Sequence, residues 1–210
     1  MDIQASPILM KGNGVDLERA VSSCFRSLGF RVLAGTSNAH DLLATSPTRR
    51  FKMHSDLFQK EIYMNERTVC VVEITGSTGN IELGKVRQLA DWVDLQIEQS
   101  PTDRVKVDNA LRTGKLESLV FQQLKGLLVS NWNMSKPIEQ RSKTPYSKQC
   151  IEFAKRHNFN LLLSPDLRYA LEEISEGLKT QRKVQDLMVG KSGFTVISEK
   201  MKTLLSSQSS

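Results

Sequence analysis

Apolar residues recur at helical spacing from residue 15 to residue 28, at Leu17, Ala20, Val21, Cys24, Phe25 and Leu28, and Gly29 follows where a glycine stops a helix. Asn13 or Asp16 caps its start, and Glu18, Arg19 and Ser22 fall at the edge of the apolar stripe. The period then shortens. Residues 30–33 predict a short strand, Gly35-Thr36-Ser37-Asn38 a break, and residues 40–45 a second strand that Asp41 enters at its beginning and Pro47 ends. Residues 47–67 are polar and basic; they predict an insertion with a short helix over 57–63, placed as a candidate substrate-facing loop. Residues 68–76 predict a buried strand that puts Val69, Val71, Glu73 and Thr75 on one face and Cys70, Val72 and Ile74 on the other. A carboxylate inside such a strand either sits half exposed near the strand end or needs a metal, a cation or hydrogen bonds to offset its burial.

After the turn at Ser77-Thr78-Gly79-Asn80, residues 82–98 predict a helix with Leu83, Val86, Leu89, Ala90, Val93 and Ile97 as its apolar stripe. Lys85, Gln88 and Trp92 share an adjacent face, at spacings of three and four. Residues 109–125 predict a peripheral helix, 126–132 a strand, 137–145 an irregular linker, 146–157 a helix and 159–163 a strand. Ser164-Pro165-Asp166 then opens another helix, with serine as its cap and proline at its first position. The expected order is therefore helix, three strands, helix, strand, then helix-strand-helix, an α/β mixed sheet with helices on both faces. Residues 1–14 form a lead-in without clear period, 15–178 the domain, and 179–210 a charged, partly helical extension with a frayed end.

Composition adds bounds. The chain has 210 residues, enough for one good-sized domain, with 39% hydrophobic and 25% charged residues, as in ordinary soluble proteins. No apolar run reaches the ~20 residues of a membrane span, and the N-terminus lacks the pattern of a signal peptide. Cys24, Cys70 and Cys150 are odd in number and lack metal-site spacing, which points to a reduced, cytoplasmic setting. The formal net charge of +6 favours a polyanionic partner, with small basic clusters at 49–52, 141–143 and 179–183 that are each also explained as solvated surface.

The chemistry rests on acids. If the strands carrying Asp41 and Glu73 are neighbours, the two carboxylates converge and repel, and a divalent cation is the usual remedy. Such hard oxygen ligands suit Mg²⁺ or Mn²⁺, which can polarise a phosphodiester and acidify a bound water. His40, His54 and His157 form no zinc spacing, the glycines 76, 79 and 84 no phosphate loop, and no Ser-His or Cys-His pairing marks a covalent nucleophile. Trp92 and Trp132 are core residues or base-stacking ones, and Ser77 and Thr78 are turn residues or phosphate contacts.

The run Val71-Val72-Glu73-Ile74-Thr75-Gly76-Ser77-Thr78-Gly79, then Lys85-Val86-Arg87-Gln88-Leu89-Ala90-Asp91-Trp92-Val93, resembles the PD-(D/E)XK nuclease superfamily. The likeness extends to Lys125-Gly126-Leu127-Leu128-Val129-Ser130-Asn131 and more loosely to 161–167, covering about residues 15 to 175. It implies a restriction-endonuclease-like fold, a mixed sheet core in the order αβββαβ with extra C-terminal helices. It also implies a Mg²⁺- or Mn²⁺-dependent endonuclease or exonuclease acting on nucleic acid, DNA above RNA; a homodimer is a further partner expectation. Asp41 and Glu73 match the family's metal ligands, the Ile74 carbonyl and Glu18 match its accessory ones, and Gln88 matches a supporting glutamine. The lysine of its E-x-K motif is replaced by Thr75, and His40 stands where a proline precedes the aspartate. Two readings follow: Lys85 supplies the cation from the next helix, or the site is degenerate and the domain only binds nucleic acid or a protein. The first requires the Lys85 ammonium within a few ångströms of the two carboxylates.

Overall fold

The computed structural model describes residues 5–35, 40–55, 60–99, 120–174, 178–197 and 199. Among them the sheet is built around one long strand. Successive residues of a strand face opposite ways, and from Cys70 to Ile74 both sets are apolar apart from Glu73, so the strand must be covered on both sides. This is β4 (Lys60–Gly76), and it is preceded by β1 (Arg31–Ala34), β2 (Leu42–Thr45) and β3 (Arg49–Ser55). The rest of the sheet comes from β5 (Val120–Asn131), β6 (Asn160–Leu163) and β7 (Gly193–Phe194). The strand order is β1-β2-β4-β5-β6-β7, with β3 also pairing with β4. β2 and β3 are antiparallel to β4, whereas β5, β6 and β7 run parallel to it and to one another. The chain is thus mixed α/β with a seven-stranded mixed sheet.

Parallel neighbours cannot be joined by a tight hairpin, and the crossovers carry α3 (Leu83–Gln99), after β4, and α4 (Lys148–Arg156), after β5. These two helices cover one face of the sheet, where Val71, Leu128, Leu161 and Leu163 pack with Val86, Leu89, Val93, Cys150 and Ala154. The opposite face is covered by α1 (Ala5–Lys11), α2 (Gly14–Ser27), α5 (Ser164–Ile174) and α6 (Leu178–Gly190). There Cys70, Val72, Leu127, Val129 and Leu162 meet Leu9, Leu17, Phe25, Leu167 and Met188.

Several expectations are corrected. The lead-in contains α1, whose Leu9 is fully buried; two turns are too short for a periodic stripe. Over 49–55 and 60–66 the insertion is paired strand, not loop or helix: β3 pairs with the first part of β4, from Arg49 opposite Glu66 to Ser55 opposite Lys60, and residues 56–59 lie outside the described residues. Among the described residues there are accordingly four strands, not three, before α3. The predicted helix over 109–125 fails over 120–125, where β5 pairs from Asn65–Val120 to Cys70–Lys125; residues 109–119 lie outside the described residues. Asp41 precedes β2 rather than entering it. Ser164 is the first residue of α5 and uses its hydroxyl to donate to the Leu9 carbonyl, 2.7 Å away, tying α5 to α1. The stretch set apart as an extension supplies α6 and β7, and Val184, Leu187, Met188 and Ile197 are buried in the same core as α2.

Candidate active site

Two glycines make the approach of the site's elements feasible. Gly35 and Asp41 close the loop between β1 and β2: the Gly35 N–H donates to the Asp41 carbonyl at 2.8 Å, and a Cβ at position 35 would come 1.6 Å from the His40 carbonyl oxygen. Gly76 ends β4, and a Cβ there would lie 2.9 Å from the Asn13 side chain and 3.1 Å from that of Met134. The start of α2 and the segment after β5 can therefore press against the end of β4.

β2 runs antiparallel to β4 with Leu42 opposite Val72, so the preceding residue, Asp41, arrives beside Glu73. One Asp41 oxygen, Oδ2, accepts the Ile74 N–H at 2.6 Å, which fixes the carboxylate at the edge of β4. Glu73 is only 4% exposed and projects on the α3 face. A carboxylate that buried needs a compensating group, and α3 provides it. Lys85 Nζ lies 3.4 Å from Glu73 Oε1 and donates to Gln88 Oε1 at 3.1 Å, the spacing of three putting lysine and glutamine side by side. Lys85, Glu73 and Asp41 thus come together, while Thr75, on the Glu73 face, is two residues further on and half-buried.

Positive charge is in short supply. Burial pushes the Glu73 carboxyl above its ordinary value and Asp41 adds to this, while Lys85 and the Trp92 indole N–H oppose it. That N–H lies near the carboxylate but is buried short of hydrogen-bond geometry. Burial also raises Asp41, against the pull of the Ile74 N–H and of Lys85. Glu18, half-buried on α2, is raised by burial and then by the charge of Asp41. Asp41 thus couples to both Glu18 and Glu73, while Lys85 acts on Asp41 and Glu73. Among the described residues no three His, Cys, Asp or Glu side chains close into a ready-made metal-binding group. The donor set is nevertheless one of hard oxygens short of cationic charge, which fits a divalent ion of the Mg²⁺ type.

The other singled-out residues separate clearly. Trp132 is buried, donates to the Ser142 carbonyl at 2.8 Å and lies under the Arg141 guanidinium at 5.8 Å, so it is structural. Trp92 packs on the α3 core and reaches Glu73; its seven-residue spacing from Lys85 marks that face in the sequence. His157 stacks on Phe153 at 4.2 Å, and burial lowers the pKa of His40, which adjoins Asp41. His54 lies on β3 with its backbone opposite Glu61. Arg49, in the first basic cluster, is ion-paired with Asp186 of α6. Sequence reasoning missed the polar cluster next to Thr75. Ser130, opposite Thr75 in register, shares a 2.5 Å hydrogen bond with the Tyr146 hydroxyl, which donates to the Leu162 carbonyl at 3.0 Å. No periodicity announces such a bond between positions 16 residues apart.

No family model matches the chain, and comparison with curated proteins and with solved structures finds no match. Among the described residues no helix is long and apolar enough to cross a membrane.

Proposed function

We propose that the chain is a metal-dependent nuclease of the restriction-endonuclease-like type, hydrolysing phosphodiester bonds, in DNA first. The observation that carries this reading is the convergence of Asp41, Glu73 and Lys85, with the ammonium 3.4 Å from Glu73 although it comes from α3 and not from the strand. Asp41 and Glu73 would hold a Mg²⁺ or Mn²⁺ ion, with the Ile74 carbonyl and Glu18 as further ligands, and such an ion would supply polarisation of the phosphodiester and acidification of the attacking water. Lys85 does the work assigned to the lysine that Thr75 replaces: its ammonium orients the water or steadies charge developing on the phosphate. Gln88 fixes the Lys85 side chain through its Oε1. Burial of Glu73 keeps competing water away from one side of the reaction.

Incubation of linear, circular and single-stranded DNA, and of RNA, with Mg²⁺ or Mn²⁺ tests the proposal. Cleavage should require the divalent ion and disappear in Asp41→Asn and Glu73→Gln; cleavage that persists in both overturns it. One observation favours a second reading, a non-catalytic domain that binds nucleic acid or a protein: with Thr75 at the lysine position, Lys85 already neutralises Glu73 by direct pairing. That reading expects no divalent-dependent cleavage of any substrate.

A further inference from the structure

A cleft of about 590 Å³ opens between α1, α5 and the segment that follows β5. It adjoins the same end of the sheet as the carboxylates, because Met134 in its wall is the residue that meets Gly76 at the end of β4. Its lining carries four cations, Lys11, Lys136, Arg141 and Arg168, against a single acid, Glu139. The remaining wall is methionine, proline, isoleucine and serine.

The cations are held differently. Arg141 is 6% exposed and preorganised: Nη1 donates to Asn131 Oδ1 at 2.6 Å and Nε to the Lys136 carbonyl at 3.1 Å. Arg168 leans on Glu172 of its own helix at 2.8 Å. Lys11 and Lys136 are exposed and have no ion-pair partner among the described residues. A fixed buried guanidinium flanked by two unpaired ammonium groups, over a partly apolar wall, has the chemistry of a seat for phosphate groups joined to flat, partly apolar bases.

Resting on the nuclease reading above, we propose that this cleft seats the sugar-phosphate backbone of the nucleic acid beside the position where it is cut, with phosphates on Lys11, Lys136 and Arg141. Gly76, three residues beyond Glu73, alternates to the other face of the sheet, so the sugar-phosphate backbone passes round the end of β4 to reach the cleft from the carboxylates. A second cleft of about 540 Å³, beside α4, serves as a contrast: its Lys148 is already 3.8 Å from Glu152.

Binding of labelled duplex and single-stranded oligonucleotides by the full chain, measured by fluorescence anisotropy in EDTA over a range of KCl concentrations, tests the cleft without cleavage. Losing two phosphate contacts in Lys11→Gln/Lys136→Gln should flatten the slope of log affinity against log salt by about 1.8 for a duplex, which near 0.1 M salt is roughly 60-fold in affinity. Glu139→Gln should tighten binding. The control Lys148→Gln/Lys155→Gln, which removes the same charge beside α4, should leave the slope unchanged. An unchanged slope in the Lys11/Lys136 variant, an equal change in the control, or preference of the wild type for a polyglutamate peptide overturns the proposal. If Mg²⁺-dependent cleavage is present and lost in Glu73→Gln while the slope ignores Lys11 and Lys136, the cleft assignment falls and the nuclease reading stands. If the slope changes as expected but no divalent ion supports cleavage, the nuclease reading falls and the cleft keeps its nucleic-acid partner.

Discussion

β4 and β5 end side by side, with Thr75 opposite Ser130 and Gly76 opposite Asn131, and both bury polar side chains there. At the β5 end the groups are matched. Ser130 shares a hydrogen bond with Tyr146, whose hydroxyl also serves Leu162; Asn131 donates to the Gly12 carbonyl at 3.0 Å and accepts from Arg141. At the β4 end the groups are less fully matched: the Glu18, Asp41 and Glu73 carboxyls are all pushed above their ordinary values, and among the described residues Lys85 answers Asp41 and Glu73. The two polar clusters thus differ in burial and in use: the β5 one is buried throughout, and the β4 one reaches the surface at Lys85. The matched one fixes the β5 end against the residue after α1 and the segment before α4, since a buried network adds rigidity when every member is satisfied. The less matched one stores a demand for positive charge, which is the physical condition for binding a cation.

Substitutions break this contrast in opposite ways. Glu73→Gln should lower divalent-dependent cleavage on the order of 10³-fold in a single-turnover assay, with little loss of thermal stability, because it removes a strained charge. Lys85→Met should cost about 10²-fold in the same assay, and Lys85→Arg should recover part of it if a cation is what the site needs. A Lys85→Met enzyme as fast as wild type would remove lysine from the mechanism. Tyr146→Phe should do the reverse of Glu73→Gln. It strands the Ser130 hydroxyl and the Leu162 carbonyl and should lower unfolding stability by about 1–3 kcal/mol in a denaturant titration, with cleavage intact.

The smallest expected effect is on the pH dependence of stability without metal. Asp41 and Glu73 have folded pKa values above their ordinary ones of 3.8 and 4.5, so the folded state holds protons that the unfolded state releases. Their contribution is fully stabilising below those ordinary values and is lost as pH rises through the raised folded ones. Asp41→Asn/Glu73→Gln should therefore gain stability relative to wild type as pH climbs from 4 towards neutrality. A difference between the two proteins that is flat with pH would show that the carboxyls are not under strain.

Legibility of the chain in its sequence followed the strength of the local pattern. α2 and α3 were readable because six apolar positions in each repeat at helical spacing, and Gly29, with φ of 84°, stops the first where a glycine was expected to. The second half of β4 was readable as an uninterrupted apolar run. Its first half, with β3, was not, because charges interrupt the alternation and only the pairing of Arg49–Ser55 with Lys60–Glu66 makes it strand. The start of β5 was misread for a related reason. Val120 and Leu124 continue the helical spacing of the preceding leucines in sequence, and the parallel partner that makes 120–125 a strand lies more than 50 residues earlier. For the site, the Lys85–Gln88 face was visible from spacing alone. The Asp41–Ile74 hydrogen bond and the coupling of Glu18 to Asp41 depend on how β2 and α2 meet β4, which no local pattern encodes.

The most direct test of the central claim is a calorimetric titration of the apo protein with Mn²⁺ at neutral pH, wild type beside Asp41→Asn/Glu73→Gln. The charge-deficient cluster predicts saturable binding to the wild type and no such binding to the double variant. Equal binding to both proteins, or none to a folded wild type, would contradict the assignment of Asp41 and Glu73 as metal ligands.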